Sequence, residues 1–186
     1  MTVNDLMPFC CSDSTRPVIT QPWTAEGYTQ ATNGRALIRV APIDGVEVNT
    51  TTAPVTGRLF PKQEPTEWHS LTGLQLMPSE TCPHCNKAES VVCPECGGNG
   101  QAELSNYYNS YVVDCKTCEG SGETHCRHCE GRGFLEGVTQ LGSAQYSSDL
   151  LRLLQSLPNC KVGLGKPLEP AWFRFDGGDG LVMPVR

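Results

Sequence analysis

Eight of the eleven cysteines fall in four Cys-x-x-Cys pairs: Cys82-Pro83-His84-Cys85, Cys93-Pro94-Glu95-Cys96, Cys115-Lys116-Thr117-Cys118 and Cys126-Arg127-His128-Cys129. A pair of thiolates at this spacing supplies half of a tetrahedral metal site, so four pairs make two complete sites. Three of the pairs continue as Gly-x-Gly one residue later, through Gly98 and Gly100, Gly120 and Gly122, and Gly131 and Gly133. Glycine there lets the backbone turn tightly and brings N–H groups to the sulfurs, which stabilises their negative charge.

The gaps between pairs are symmetric: 86–92 and 119–125 are equally short, and 97–114 is long between them. A long central hairpin carrying pairs on both arms would join Cys82, Cys85, Cys126 and Cys129 into one site and Cys93, Cys96, Cys115 and Cys118 into the other. Pairing of sequence neighbours is the competing arrangement. Zinc is the ion this donor set calls for, two ions in all, with iron as the alternative because thiolates also hold iron. Large apolar side chains are few in this stretch, so burial alone cannot offset its ordering entropy, whereas each structural zinc contributes roughly 10–16 kcal/mol. Thiol–disulfide exchange would instead use a single pair at a helix start. His84, His125 and His128 sit beside complete sulfur sets and read as exposed bystanders. Cys10, Cys11 and Cys160 have no partners at ligand spacing and read as small buried apolar residues. Tyr107, Tyr108 and Tyr111 lie near the tip of the central hairpin, Ser105 to Ser110, where they can anchor an interface or pack across the strands.

The stretch 82–133 resembles the cysteine-rich zinc finger of DnaJ chaperones, which repeats the same Cys-x-x-Cys-x-Gly-x-Gly unit. That resemblance implies the nested pairing and a finger that binds unfolded or partner polypeptide. Two features depart from the family: Asn86-Lys87-Ala88-Glu89 follows the first pair in place of the glycines, and the short gaps are tighter. The sequence also contains no His-Pro-Asp tripeptide and no preceding J-domain helix pattern, so stimulation of a heat-shock ATPase is not expected of it.

Residues 1–81 and 134–186 must form the scaffold that carries the finger, a discontinuous α+β domain of hairpins and at least one amphipathic helix. Asn33-Gly34 between 26–32 and 35–40 predicts a hairpin with a type I′ turn. Asn49 to Thr56 reads as loop or edge strand. Ser147 or Ser148 caps a helix with Leu150, Leu151, Leu153, Leu154 and Leu157 on one face, ended by Pro158-Asn159. Strands are predicted at 161–164, 171–175 and 181–185, with Asp176 to Gly180 as the turn between the last two and Pro184 at an edge or strand end. The segment Leu150 to Leu157, with the closing Leu181-Val182-Met183-Pro184-Val185-Arg186, is similar to the last helix and strands of bacterial DNA-polymerase sliding clamps. Ala31-Thr32-Asn33-Gly34-Arg35 resembles that family's Ala-Thr-Asp-Gly turn. The resemblance implies one clamp-like domain with the zinc hairpin inserted at a loop, a site type that tolerates insertions.

Net charge is −6 with a pI near 5.2, and 82–133 holds seven acidic residues against four basic ones. Such a surface repels phosphate, so nucleic acid could be met only through the scaffold, and protein is the expected partner. No apolar run is long enough to span a membrane and the N-terminus has no export pattern, so a cytoplasmic protein is expected. Three places invite a catalytic reading and none sustains it. His69 stands alone. Gly163-Leu164-Gly165-Lys166-Pro167 lacks both the opening glycine and the hydroxyl of a phosphate loop. The acidic turn from Asp176 is too short for calcium. The reading is therefore a non-enzymatic zinc protein, an adaptor or chaperone-like module presenting an acidic hairpin. A DNA-replication accessory and a thiol oxidoreductase are the alternatives.

Overall fold

The computed structural model describes residues 1–49 and 51–185. Thr50, in the segment read as loop or edge strand, and Arg186, at the end of the closing motif, lie outside the described residues. The chain divides into two compact units, Met1–Pro78 with Gly137–Arg186, and Ser79–Glu136. It is predominantly β with few, short helices. No helix among the described residues is long and apolar enough to cross a membrane.

In chain order the elements are α1 (Val3–Leu6), β1 (Trp23–Ala25), β2 (Tyr28–Thr32), β3 (Ala36–Val40) and β4 (Trp68–Ser70), then β5 (Glu80–Thr81), β6 (Ser90–Val92), β7 (Gln101–Ser105), β8 (Ser110–Asp114), β9 (Glu123–His125) and β10 (Phe134–Leu135). They are followed by β11 (Val138–Leu141), β12 (Ala144–Ser147), α2 (Ser148–Gln155), β13 (Lys161–Gly163), β14 (Ala171–Phe175) and β15 (Gly178–Val182). The scaffold is a seven-stranded sheet in the order β1-β2-β3-β15-β14-β13-β4, antiparallel throughout, with the β11–β12 hairpin beside it.

Strand alternation separates the two faces of this sheet. Ala36, Ile38 and Val40 of β3, Ala171, Phe173 and Phe175 of β14 and Val182 of β15 share the main core with Leu150, Leu151, Leu154 and Leu157. Leu37, Leu181 and Trp172 point the other way, where Trp23 and Phe60 join them. The helix starts where its serine cap dictates: Ser147 Oγ accepts the Leu150 N–H at 3.3 Å. Each leucine buried on its apolar face contributes about 1.5–3 kcal/mol.

Three local expectations are corrected. Asn33-Gly34 joins a hairpin, but only Gly34 of the two has a positive φ, 85°. The turn is built by the Asn33 side chain, whose Oδ1 accepts the N–H groups of Arg35 (2.9 Å) and Ala36 (2.8 Å). The turn with two positive φ angles lies instead at Glu26-Gly27 (53° and 81°), between β1 and β2, so the strand expected from Glu26 begins at Tyr28. Glu26 holds that conformation with its carboxylate tied to the Thr56 and Gly57 N–H groups, at 3.1 and 3.0 Å.

The second correction concerns Gly178, Asp179 and Gly180, expected as turn and found as strand. Gly180 faces Phe173 and Gly178 faces Phe175 across the β14–β15 pair. A Cβ on Gly180 would collide with the Leu37 carbonyl oxygen and the Phe173 ring, so the missing side chains are what let the two rings lie over β15. Asp179 points to the opposite face, where it takes Arg39 Nε (2.5 Å) and Nη2 (2.8 Å) together with Trp172 Nε1 (2.9 Å). Pro184 follows the end of β15, where no ladder N–H is required.

Third, Cys160 is buried in the core, but Cys10 and Cys11 are only partly so. Burial pushes the Cys160 thiol up to about 12, and desolvation, then Cys11, pushes Cys10 up to about 11.

The second unit is one long hairpin folded around four cysteine knuckles. From base to tip its arms pair as β5–β10, β6–β9 and β7–β8. The unit extends past Cys82 and Gly133 because the β5–β10 pair closes its base.

Candidate metal centres

The knuckles begin at Cys82, Cys93, Cys115 and Cys126, and each lies between two of the short ribbons. Cys82, Cys85, Cys126 and Cys129 form one group, Cys93, Cys96, Cys115 and Cys118 the other, with ligand atoms in each group within 4.8 Å of one another. Outer pairs thus meet outer pairs and inner meet inner.

Across the first group the Sγ atoms of Cys82 and Cys126 are 3.8 Å apart and those of Cys85 and Cys129 3.6 Å. In the second, Cys93 and Cys115 are 3.8 Å apart and Cys96 and Cys118 3.7 Å. A tetrahedral ion with metal–sulfur bonds of about 2.3 Å has a sulfur–sulfur edge of about 3.8 Å. These separations are far too long for disulfides, and all eight cysteines are free. The residues present therefore fit an ion bound by four cysteines at each site, as in zinc fingers.

Backbone geometry repeats in every knuckle. Gly100 N–H points at Cys96 Sγ (3.3 Å), Gly122 N–H at Cys118 Sγ (3.3 Å) and Gly133 N–H at Cys129 Sγ (3.2 Å). Within each site the two knuckles also exchange backbone bonds. Cys93 N–H donates to Gly122 O (2.9 Å) and Cys115 N–H to Gly100 O (2.7 Å) at the inner site. At the outer site Cys82 N–H donates to Gly133 O (3.1 Å) and Cys126 N–H to Glu89 O (2.9 Å). Each centre is thus approximately two-fold symmetric, and its paired knuckles hold each other in register.

The first knuckle keeps this path without its glycines. Asn86, Lys87 and Glu89 have φ of 46°, 73° and 65°, against 60°, 92° and 73° for the equivalent Gly97, Gly98 and Gly100. The Glu89 N–H acts on Cys85 as the glycine N–H groups act on their sulfurs. Residue type gives no warning of this at Lys87 or Glu89; only their place in the repeat does. The inner site leaves no such latitude, because a Cβ on Gly100 would strike Gly120 O and one on Gly122 would strike Gly98 O. At the outer site the Cβ position on Gly133 lies 3.1 Å from Lys87 O.

Crowded thiols without an ion divide their protons unequally. Burial opposes ionisation of Cys118, yet the Gly122 N–H and the thiols of Cys115, Cys96 and Cys93 bring it down to about 7. Cys129 follows the same pattern with Gly133, also to about 7. Desolvation, with the thiol of Cys129, pushes Cys85 up to about 12. The Cys118 N–H pulls Cys115 down, but burial and its thiol neighbours outweigh that and leave it at about 11. An ion at each centre would take the place of the remaining protons.

The residue before the second cysteine of each knuckle pairs with its counterpart across the site. The rings of His84 and His128 touch with centroids 4.2 Å apart and planes tilted by 40°, and Thr117 Oγ1 donates to Glu95. His84, His125 and His128 are all exposed. Tyr107 and Tyr108 occupy the turn beyond β7, where Asn106 Oδ1 accepts the N–H groups of Tyr108 and Asn109, each at 2.9 Å. Tyr107 is 94% and Tyr108 84% exposed, and Tyr111, opposite Leu104, is 54% exposed, so packing within the ribbon buries none of them. In the scaffold, His69 lies on β4, half exposed, 3.6 Å from the Glu67 carboxylate. The turn at Asn33-Gly34 and the end of β15 meet, with Met183 N–H donating to Arg35 O at 2.8 Å. Thr32, Gly34, Leu37, Leu59, Leu181 and Met183 line one apolar cleft beside that bond.

No protein-family model and no curated protein matches the chain. Solved structures are similar to it, two of them as follows. One is the beta sliding clamp of C. crescentus, with 10% identity and a TM-score of 0.44, covering 99% of this chain and 62% of that chain. The other is the beta subunit of DNA polymerase III from Thermotoga maritima, with 13% identity and a TM-score of 0.29, covering 86% of this chain and 41% of that chain. The chain thus spans less than two thirds of the length of either.

Proposed function

We propose that Ser79–Glu136 is a two-zinc finger of the DnaJ type inserted into the scaffold, and that the protein is a non-enzymatic adaptor presenting this acidic finger to a protein partner. The observation that carries the reading is the pair of compact four-sulfur groups, each with two cross-site sulfur separations of 3.6–3.8 Å, the edge of a zinc–thiolate tetrahedron, and with N–H donors aimed at its sulfurs. Burial of Cys82, Cys93, Cys115, Cys126 and Cys129 favours metal retention over thiol exchange, which requires a sulfur that a disulfide substrate can reach. Metal analysis of native protein purified without chelators tests the proposal. Two equivalents of zinc are expected, and iron in that amount would replace the ion. Less than one equivalent of any metal, with the finger still ordered, would refute the reading.

The alternative of a DNA-metabolism accessory is favoured by one observation, the meeting of Ala31–Arg35 and Leu181–Met183 around a single apolar cleft. It requires assembly around or beside DNA. Sedimentation mass together with salt-dependent DNA binding tests it, and a monomer indifferent to DNA eliminates it.

A further inference from the structure

The ribbon β7–β8 is sorted by its register into two unlike faces. Ala102 lies opposite Val113 and Leu104 opposite Tyr111, so these four side chains share one face. Gln101, Glu103, Ser105, Ser110 and Asp114 occupy the other with Val112, and Ser110 Oγ donates to Glu103 at 2.7 Å. The apolar face is left in water: Leu104 is 57% exposed, and no residue of β8 is buried. Among the described residues neither long edge of this two-stranded ribbon is paired with a further strand, so each offers backbone donors and acceptors to an added strand.

Charge selects what can use this surface. Between Gly97 and Cys115 there are two acidic residues, Glu103 and Asp114, and no lysine or arginine. Each ion held by four thiolates adds two further negative charges to the finger. A second copy of this chain, at −6, is repelled, as is a nucleic acid.

We propose that the ribbon docks an extended segment of a partner protein in which apolar residues alternate with lysine or arginine. Added at the edge of β7, such a strand continues the apolar face with every second side chain and sets a cation beside Glu103; at the edge of β8 the cation lies beside Asp114. This rests on the reading of the finger as a protein-binding module and names the chemistry of its partner.

The test uses the full metal-loaded chain and fluorescent ten-residue peptides of alternating valine and lysine, of valine and glutamate, and of the first composition with its valines in one block. Binding is followed by anisotropy at physiological salt. The alternating basic peptide should bind at least tenfold more tightly than either of the others. Leu104→Ser/Tyr111→Ser should weaken it at least tenfold while keeping two equivalents of metal, and Glu103→Gln/Asp114→Asn should weaken it and flatten its salt dependence. Equal binding of all three peptides, or unchanged binding by both variants, would overturn the proposal. No binding by protein carrying both ions would overturn it too, leaving the zinc reading in place. A metal content below one equivalent would overturn the zinc reading and this proposal together.

Discussion

Gly100→Ala is the most direct probe of how the inner centre is built. Gly100 has a φ of 73°, a conformation that costs an L-residue about 1–2 kcal/mol. The added methyl would also strike Gly120 O, so the two knuckles must separate. Separation stretches the 2.7 Å bond from Cys115 N–H to Gly100 O and moves the Gly100 N–H from Cys96 Sγ, which adds about 1–2 kcal/mol. The sum, about 2–4 kcal/mol, is a loss of about 30- to 700-fold in metal affinity at the inner site. Gly97→Ala is the matched control, since its φ is 60° but nothing lies within 4 Å of its Cβ position. It should lose only the conformational part, about 5- to 30-fold. Cobalt(II) substitution supplies the assay, because thiolate-to-metal absorption follows each site during chelator competition. Equal affinities for Gly100→Ala and Gly97→Ala would refute the argument that contact between the knuckles, rather than φ alone, fixes this centre.

Other outcomes follow from the same structure. Glu89→Gly and Lys87→Gly relieve left-handed backbone at the outer site, and each should tighten metal binding there by up to about 1 kcal/mol in the same competition. Gly180→Ala should destabilise the scaffold by more than about 2 kcal/mol in urea unfolding, since its Cβ has the Leu37 carbonyl and the Phe173 ring in its place. Leu154→Ala, at the centre of the main core, should cost about 2–5 kcal/mol by the same measurement. The Gly57 N–H, and then the Thr56 donors, hold the Glu26 carboxyl below its ordinary range against desolvation. Its stabilisation is therefore full above an unfolded pKa of about 4.3 and lost as pH falls through the lower folded value. Glu26→Gln should lower stability at neutral pH and flatten the acid limb of the stability profile.

Local chemistry decides what could be read from the chain. Cysteine spacing made both groups of four legible, because a Cys-x-x-Cys turn is a self-contained half-site and the gap lengths constrain its partner. The helix was legible because Ser147 and the leucine period act within a few residues of each other. What escaped depends on distant residues. Glu26 takes a turn conformation because Thr56 and Gly57 hold its carboxylate, and Gly178 and Gly180 are strand because two phenylalanines of β14 need the space. The first knuckle hid its backbone path for a similar reason, since its partner knuckle, through the Cys126–Glu89 bond, supports angles that Lys87 and Glu89 would not choose alone.

Gly137, where the chain re-enters the scaffold, lies so close to the point of departure that a Cβ on it would sit 2.8 Å from the Pro78 carbonyl carbon. A short polar linker in place of Ser79–Glu136 should therefore leave the seven-stranded sheet with all its strands. The excised hairpin, closed by its own first ribbon, becomes a cassette that can be grafted onto any loop with similarly neighbouring ends.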